Sequence, residues 1–411
     1  MQTLKNIFLI VCSLAMLSSC AQAPAAPAPA APVTDAAGQA DDPALAEEAR
    51  PDRSGDLIPD GVLVSTGSED RLTFLDHTGA AVREIETPGI IAPRPEDVAI
   101  AGRLTPDGPF PPVVYRSWTP EQALMINDNG QVSTARRAET FLALAGALGQ
   151  ASFAFSEVLY DENIYPHGFL YAAKPDNIST VSAFFDLVDE PSYWPLKPVG
   201  MKTVAGEPQG VWYVKTAWGI GGPDLIFPIN RGLYFFDLTN GDNLQVLNDD
   251  HSLQGISPDL GYAASVNAGS ASNGALSVTN LANQQTQVFP LDPATDRGAG
   301  WAVFSPDNRY AAWLEASGSM ISDPYDFHPR VRVGDITSAG VVQSLEDTLV
   351  NQVIGGNSVS MLQPVGWLDN TTLLIEVRAQ DWNDASLLRF DITTGNLTVF
   401  SEGAFLAFAY Q

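Results

Sequence analysis

A strand-like segment that ends in Asp or Asn recurs along most of this chain. The seven copies are RLTFLDHTG, ALMINDNG, SAFFDLVDE, GLYFFDLTNG, LSVTNLANQ, RVRVGDITSAG and SLLRFDITTG. Their turn residues are Asp76, Asn127, Asp186, Asp237, Asn280, Asp335 and Asp391, which are 43–59 residues apart. Repeats of this length that contain only strands are typical of a β-propeller.

Each unit can be completed to four strands, lettered a to d from the propeller axis outward. Strand d follows the Asp turn, as in GNLTVFS, and strands a and b precede it, as in WAVF-SPDN-RYAAWLEA. The first unit lacks an inner strand, and the chain ends with a spare one, AFLAFAYQ. The sequence therefore predicts an all-β, seven-bladed β-propeller whose ring is closed by the C-terminal strand.

Six or eight blades remain alternatives, because the units at 95–140 and 150–207 are irregular. The segment AETFLALAGALGQ (138–150) is the one place where a short helix is expected.

The repeated polar residues have a structural interpretation. In Ser305-Pro306-Asp307, the proline presets φ for a turn and the aspartate forms turn hydrogen bonds. A short carboxylate in the same way caps the c–d turn at each repeated Asp. Both kinds of turn lie on the propeller face opposite the long b–c loops.

These SPD turns and Asp-turn units resemble the TolB-like family of bacterial envelope propellers. They resemble more loosely the propeller domains that precede prolyl-oligopeptidase-type enzymes. The match is good at 252–292 and 299–347, partial in the seventh unit and in outline in the first four. The resemblance implies a WD-type propeller fold and leaves the activity open.

The N-terminus is typical of an exported protein. Residues 7–17 form an apolar stretch too short to span a bilayer, after a positive start at Lys5. Leu17-Ser18-Ser19-Cys20 resembles the bacterial lipoprotein box, which implies a signal peptide at 1–19 and lipidation of Cys20. Because Ala21 replaces the aspartate that commonly retains such proteins at the inner membrane, the outer membrane or cell surface is favoured.

Residues 20–56 are rich in Ala and Pro and then acidic, which predicts a disordered linker between the lipid anchor and a propeller domain at 57–411.

The net charge of −27 argues against nucleic-acid binding. Cys12 and Cys20 are the only cysteines, so the predicted mature domain has no disulfide.

The sequence contains no G-x-S-x-G elbow, phosphate loop, dinucleotide fingerprint or HExxH motif. The long b–c loops are therefore the predicted binding region. The candidate ligand-binding residues are Trp218, Asp224, Phe227, Arg231, Tyr325, Asp381 and Trp382. The aromatic residues among them have an alternative role, which is to cover the apolar edges of the blades.

Two loops could bind Ca²⁺ or another divalent cation. One contains Asp161, Glu162 and His167, and the other contains Asp323, Asp326 and His328. Neither spacing is diagnostic, and the alternative for Asp323 and Asp326 is a pair of Asx turns. No cofactor other than such a cation is expected.

The functional prediction is a lipid-anchored module that binds an envelope protein, peptide or glycan through the b–c face. The alternative is a metal-dependent hydrolase or lyase at the same face, which would need carboxylates from several blades near the axis. The candidate carboxylates instead cluster within single loops, so binding is favoured over catalysis.

Overall fold

In the computed structural model, the described residues are 57–66, 71–90, 93–104, 110–118, 121–126, 132–137, 141–146, 150–160, 166–174, 181–186, 195–216, 227–268, 274–296, 298–319, 323–355, 359–379 and 385–410. They all belong to one compact unit, Gln39–Gln411. Within them, 28 strands pair into seven four-stranded antiparallel sheets, and the chain is an all-β β-propeller.

The first sheet has the order β28-β1-β2-β3. Its strands are β1 (Gly61–Ser65), β2 (Arg71–Asp76), β3 (Ala81–Glu86) and β28 (Ala404–Ala409). The second sheet comprises β4 (Val98–Ile100), β5 (Val113–Trp118), β6 (Glu121–Ile126) and β7 (Val132–Arg137), and a 3-10 turn at Pro95–Asp97 precedes it. The third comprises β8 (Phe141–Gly146), β9 (Phe153–Tyr160), β10 (Pro166–Ala173) and β11 (Val181–Asp186).

The remaining four sheets follow the same a-b-c-d order along the chain. The fourth comprises β12 (Leu196–Val204), β13 (Glu207–Thr216), β14 (Asn230–Asp237) and β15 (Asn243–Leu247). The fifth comprises β16 (His251–Ile256), β17 (Tyr262–Asn267), β18 (Leu276–Asn280) and β19 (Thr286–Phe289). The sixth comprises β20 (Ala299–Phe304), β21 (Tyr310–Ser319), β22 (Asp323–Asp335) and β23 (Gly340–Glu346). After the helix α1 (Asp347–Ile354), the seventh comprises β24 (Val359–Trp367), β25 (Thr372–Ala379), β26 (Ala385–Asp391) and β27 (Asn396–Glu402).

The C-terminal strand closes the ring, as the sequence predicts. Strand β28 pairs antiparallel with β1, from Gly61 opposite Ala409 to Ser65 opposite Ala404. The carboxylate of Glu376 on β25 accepts a hydrogen bond from the backbone N–H of Phe405, at 2.8 Å. Because β28 pairs with the first sheet and also contacts the seventh, it joins the two ends of the chain.

The innermost strands of neighbouring sheets approach one another closely. They contact in the pairs β28–β4, β4–β8, β8–β12, β16–β20 and β20–β24. Two glycines show how little room is left. A Cβ on Gly255 would lie 1.9 Å from the carbonyl oxygen of Ala302, and a Cβ on Gly366 would lie 2.1 Å from the ring of Phe408. The inner strands therefore need glycine where a neighbouring sheet packs against their backbone.

Three local predictions are wrong. The expected helix at 138–150 is instead the inner strand β8, in which Ala143 and Leu144 are buried. Small residues suit the crowded axis, and tertiary packing overrides their helical preference. The segment SAFFD, which ends at Asp186, is the outermost strand of its sheet rather than strand c.

The third correction concerns the b–c segment of the sixth sheet. The predicted loop ASGSMISDPYDFHPR is mostly a long hairpin, in which Ser319 on β21 is paired with Asp323 on β22.

A further helix, α1, lies between the sixth and seventh sheets and was not predicted. No helix among the described residues is long and apolar enough to cross a bilayer.

Replacing Leu406 with Ala tests the contribution of the closing strand. Leu406 is 2% exposed and packs with Leu63, Val98 and Ile100. The cavity and lost burial should lower the free energy of unfolding by about 2–5 kcal/mol in guanidinium titrations. Val399→Ala on the outermost strand β27, where the side chain is 51% exposed, is the control and should change it by about 0.5 kcal/mol or less. Equal effects of the two variants would contradict a special role for β28.

Candidate functional site

The Ser-Pro-Asp turns are structural. Ser305 is fully buried; its hydroxyl donates to Asp307 Oδ1 at 2.7 Å and accepts from the N–H of Tyr310 at 2.9 Å. Ser257 repeats the pattern, with 2.6 Å to Asp259 Oδ1 and 2.9 Å from the N–H of Tyr262. A buried hydroxyl that is fully used by its own turn is not placed to act as a nucleophile.

The a–b turns also connect neighbouring sheets. Asn308 Nδ2 donates to Asp259 Oδ2 of the preceding sheet at 2.7 Å. The N–H of Asp307 donates to Asn370 Oδ1 of the following sheet at 3.2 Å. The polar turn residues thus tie three consecutive sheets together on this face.

Four of the repeated aspartates cap their c–d turns in one way. The Oδ1 atom accepts hydrogen bonds from both the N–H and the hydroxyl of the threonine two residues later, at Asp76, Asp237, Asp335 and Asp391. The threonine hydroxyl, and then its N–H, lowers the pKa of Asp391 below the ordinary value. These turns confirm the structural interpretation of the repeat.

On the b–c face, a segment of the fourth sheet is tied to the fifth. The carbonyl oxygen of Pro228 accepts from Ser252 Oγ and from Gln254 Nε2, both at 3.2 Å. The side chain of Asn230 donates to the carbonyl of Leu253 at 2.7 Å and accepts from its N–H at 2.6 Å. The segment just after 217–226 is therefore held against the inner strand β16.

The same segment reaches the sixth sheet. Phe227 is 6% exposed and packs with Leu314, Ala316 and Phe327, with Trp301 at the edge of the cluster. A Cβ on Gly300 would lie 2.4 Å from the ring of Phe227. Phe227, Gln254, Trp301 and Phe327 are called the loop junction here, because they join the b–c side of three consecutive sheets.

Trp301 at this junction has an unusual backbone. Its φ is +52°, and the register of β20 shifts between Gly300 and Val303. Its N–H donates to Gln254 Oε1 at 3.4 Å, and its side chain is half-buried. A left-handed conformation in so bulky a residue is rare and strained, and bulges that redirect a side chain are frequent beside functional sites.

Charged residues beneath the long hairpin of the sixth sheet form an ion cluster, defined here as Asp292, Glu315, Arg330 and Arg332. Arg330 and Arg332 lie 3.1 Å and 3.3 Å from the carboxylate of Asp292, and Arg332 lies 3.4 Å from Glu315. Fully buried Glu315 also accepts from Trp313 Nε1 at 3.0 Å and from Thr295 Oγ1 at 2.9 Å. The cluster fixes the connection between the fifth and sixth sheets to the base of the hairpin.

Sequence reasoning missed this cluster, although a signal was present. A second aspartate follows the turn residue by twelve positions in three consecutive units, at Asp249, Asp292 and Asp347. Each lies beside a basic side chain: Lys215 is 3.8 Å from Asp249, and His328 Nδ1 is 3.1 Å from Asp347. Those spacings place a carboxylate in three successive d–a connections on the b–c face.

The predicted metal residues are only partly within the described chain. Asp161 and Glu162 lie outside it. For His167 on β10, and for Asp323 and Asp326 on β22, only the position in the strand is described. His328 is exposed and contacts Asp347. Within the ranges given above, no group of three His, Cys, Asp or Glu side chains could hold a metal ion.

Of the predicted ligand-binding residues, some lie within the described chain and others lie outside it. Phe227 is buried in the loop junction and serves packing, which is the alternative that the sequence left open. Arg231 is exposed on β14, and Tyr325 belongs to β22. Trp218, Asp224, Asp381 and Trp382 lie outside the described residues, as does Cys20.

No family model matches the chain, and no curated protein matches it either. Among solved structures, an oligogalacturonate lyase in complex with manganese is 11% identical, with a TM-score of 0.47, over 83% of this chain and 84% of the other. A TolB from Agrobacterium tumefaciens is 14% identical (TM-score 0.35, 70% and 90% covered), and Kluyveromyces lactis Hsv2 is 11% identical (TM-score 0.47, 85% and 96% covered). At this level of similarity, the neighbours carry no argument about what this chain binds or does.

Replacing Asp391 with Ala tests the turn interpretation and its pH dependence. Loss of the exposed turn bonds should lower the free energy of unfolding by about 0.5–1 kcal/mol at pH 7. Because folding lowers the pKa of Asp391, the stabilisation is present above the unfolded value of 3.8 and is lost as the pH falls through the lower, folded-state value.

Urea titrations from pH 7 down to the acid limit of folding measure this effect. The difference in the free energy of unfolding between variant and parent should shrink at low pH. Asp242→Ala, which removes an exposed carboxylate from another c–d turn, is the control. A constant difference at all pH values would contradict the assignment.

Proposed function

We propose that the protein is a lipid-anchored, extracytoplasmic β-propeller that binds a protein, peptide or glycan through its b–c face. In this proposal, each of the seven four-stranded sheets is one blade. The observation that carries the proposal is the loop junction, where b–c segments of the fourth and sixth sheets pack together over the inner strand of the fifth. A surface built from several blades is what a binding site on a propeller requires.

Ion pairs and hydrogen bonds between sheets hold the base of this surface. The ion cluster connects Asp292, which precedes the sixth sheet, to Arg330 and Arg332 on β22. The bonds between Pro228 and β16 hold the fourth-sheet segment in the same way. Side chains presented by such a base lose little conformational entropy on binding, which favours affinity.

The side chains proposed to contact the ligand lie in or beside the b–c segments. Trp301 is half-buried at the junction, and Arg231 is exposed at the start of β14. The proposed contacts from the sequence are Trp218, Asp224, Tyr325, Asp381 and Trp382. Aromatic and guanidinium groups of this kind are enriched at the energetic centres of interfaces.

The anchor and the location are supported by the sequence. Leu17-Ser18-Ser19-Cys20 has the pattern of a lipidation site, and the segment from Cys20 to 56 would hold the propeller away from the membrane. Acylation with two or three chains would make the attachment stable. We place the protein in the bacterial envelope, with the outer membrane or cell surface favoured by Ala21.

A photo-crosslinking residue in place of Trp301 tests the binding surface. Irradiation of cells that carry the full-length variant should join the protein to one envelope component, detected as a discrete shifted band and identified by mass spectrometry. The same residue in place of Val399, which is exposed on an outermost strand, should give no such band. No product at Trp301, together with hydrolytic or lyase activity that a chelator abolishes, would favour the metal-enzyme alternative and overturn the binding proposal.

Replacing Cys20 with Ser tests the anchor. The parent should fractionate with membranes and carry a diacylglyceryl mass at a mature N-terminus that begins with Cys20, and the variant should lack both properties. Cys12→Ser, within the predicted signal, is the control and should leave lipidation unchanged. An unmodified N-terminus in a cytoplasmic protein would contradict the anchor and the location together.

A further inference from the structure

An axial cavity of about 370 Å³ lies among the innermost strands. Its lining includes residues from β4, β8, β12, β16, β20, β24 and β28, which are the inner strands of all seven sheets. The lining is mainly apolar and includes the aliphatic residues Ile100, Leu144, Val303 and Leu406 and the aromatic residues Phe304 and Phe408. The volume falls within the usual range for small-molecule sites.

The lining is uncharged although the chain is strongly acidic. No Asp, Glu, Lys, Arg or His is among the described residues that line the cavity, whereas the whole chain has a net charge of −27. Few polar side chains line it: the hydroxyl of Ser257 is bonded within its turn, Trp367 Nε1 donates to the carbonyl of Val303 at 3.4 Å, and Tyr410 is also part of the lining. The cavity therefore offers dispersion contacts and burial, and no charge to pair with an ionic group.

The cavity is lined by residues from every innermost strand. Several successive residues line it on most inner strands, as at Ala302–Phe304 and Val365–Trp367, so the space runs beside the strands. Two glycine positions on its wall are filled from neighbouring sheets, since Leu260 packs over Gly200 and Phe408 packs over Gly366. A flexible apolar chain in this space could therefore contact several inner strands at once.

From these observations we propose that the axial cavity binds a single alkyl chain. The described lining is mainly apolar and contains no charged side chain. Apolar cavities stay dry and take up apolar ligands, because burial of each methylene is favourable by about 0.8 kcal/mol. The headgroup of such an amphiphile would remain outside the cavity.

This site is distinct from the proposed binding face. None of the loop-junction residues lines the cavity, whereas Ser257, Pro258 and Pro306 of the a–b turns do. The alkyl-chain site could therefore fail a test while the b–c face passes its own, and the reverse is equally possible.

The test uses the unlipidated, full-length Cys20→Ser protein and a dodecyl maltoside with bromines on its alkyl chain, below its micellar concentration. Bound bromine should quench the fluorescence of Trp367, which lines the cavity, in a saturable one-to-one titration. Val199→Phe fills the cavity and should weaken binding at least tenfold. Val399→Phe makes the same change on the exposed outer strand and should alter affinity less than twofold.

Thermal melts of both variants show whether the fold is intact. If Val199→Phe fails to fold, Val365→Phe, also at a half-buried lining position, replaces it. Quenching that does not saturate, or that a folded cavity-filling variant leaves unchanged, would overturn the proposal.

A second arm identifies the source of the chain and rests on the proposed lipid anchor. Leu57 lines the cavity, and the 36 residues from 21 to 56 separate it from Cys20, a reach of up to about 120 Å when extended. If the lipidated protein no longer binds the probe while Cys20→Ser binds it, the natural occupant is the protein's own acyl chain. If both bind equally, the site takes the alkyl chain of a separate amphiphile.

Discussion

The crowding of seven inner strands around one axis is the constraint on which the rest of this structure depends. Neighbouring inner strands approach so closely that Gly255 has no room for a Cβ beside Ala302, and Gly366 has none beside Phe408. Crowding of this kind is stable only when the ring is complete, because an open ring would expose the apolar faces and edges of two sheets. The pairing of β28 with β1 completes it, and Glu376 adds a bond to the backbone of Phe405 that ties the closing strand to the last sheet.

Those parts of the fold that local chemistry determines could be predicted from the sequence. The Asp-x-Thr turns and the Ser-Pro-Asp turns each satisfy their own backbone groups within about five residues, so their patterns are readable without a structure. The closing strand was predictable for a related reason, since a unit that lacks a strand at one end of the chain matches a spare strand at the other.

The errors arise where tertiary packing decides. Residues 141–146 have the composition of a helix and form the inner strand β8 because small side chains fit beside the axis. Phe227 is a different case, because the sequence left packing open as its role: its side chain is buried against Leu314 and Phe327, which are about ninety or more positions away along the chain. The ion cluster was missed because Asp292 and Arg332 form an ion pair only when the packing of the sheets brings them within 3.3 Å of each other. The candidate site is therefore a product of packing between sheets, and no single repeat encodes it.

The distribution of charge separates two surfaces with different chemistry. On the b–c side, carboxylates in successive d–a connections lie beside Lys215, the two arginines and His328, so the base of that face is polar and electrostatically ordered. Along the axis, the described lining contains no Asp, Glu, Lys, Arg or His. A charged or polar partner would lose its hydration at the axis without compensation, whereas the b–c side offers hydrogen-bonding groups that remain in contact with water. The proposed polar partner therefore matches the chemistry of the b–c face, and the proposed alkyl chain matches that of the axis. One propeller can present both surfaces because its inner strands and its loops are built from different parts of each repeat.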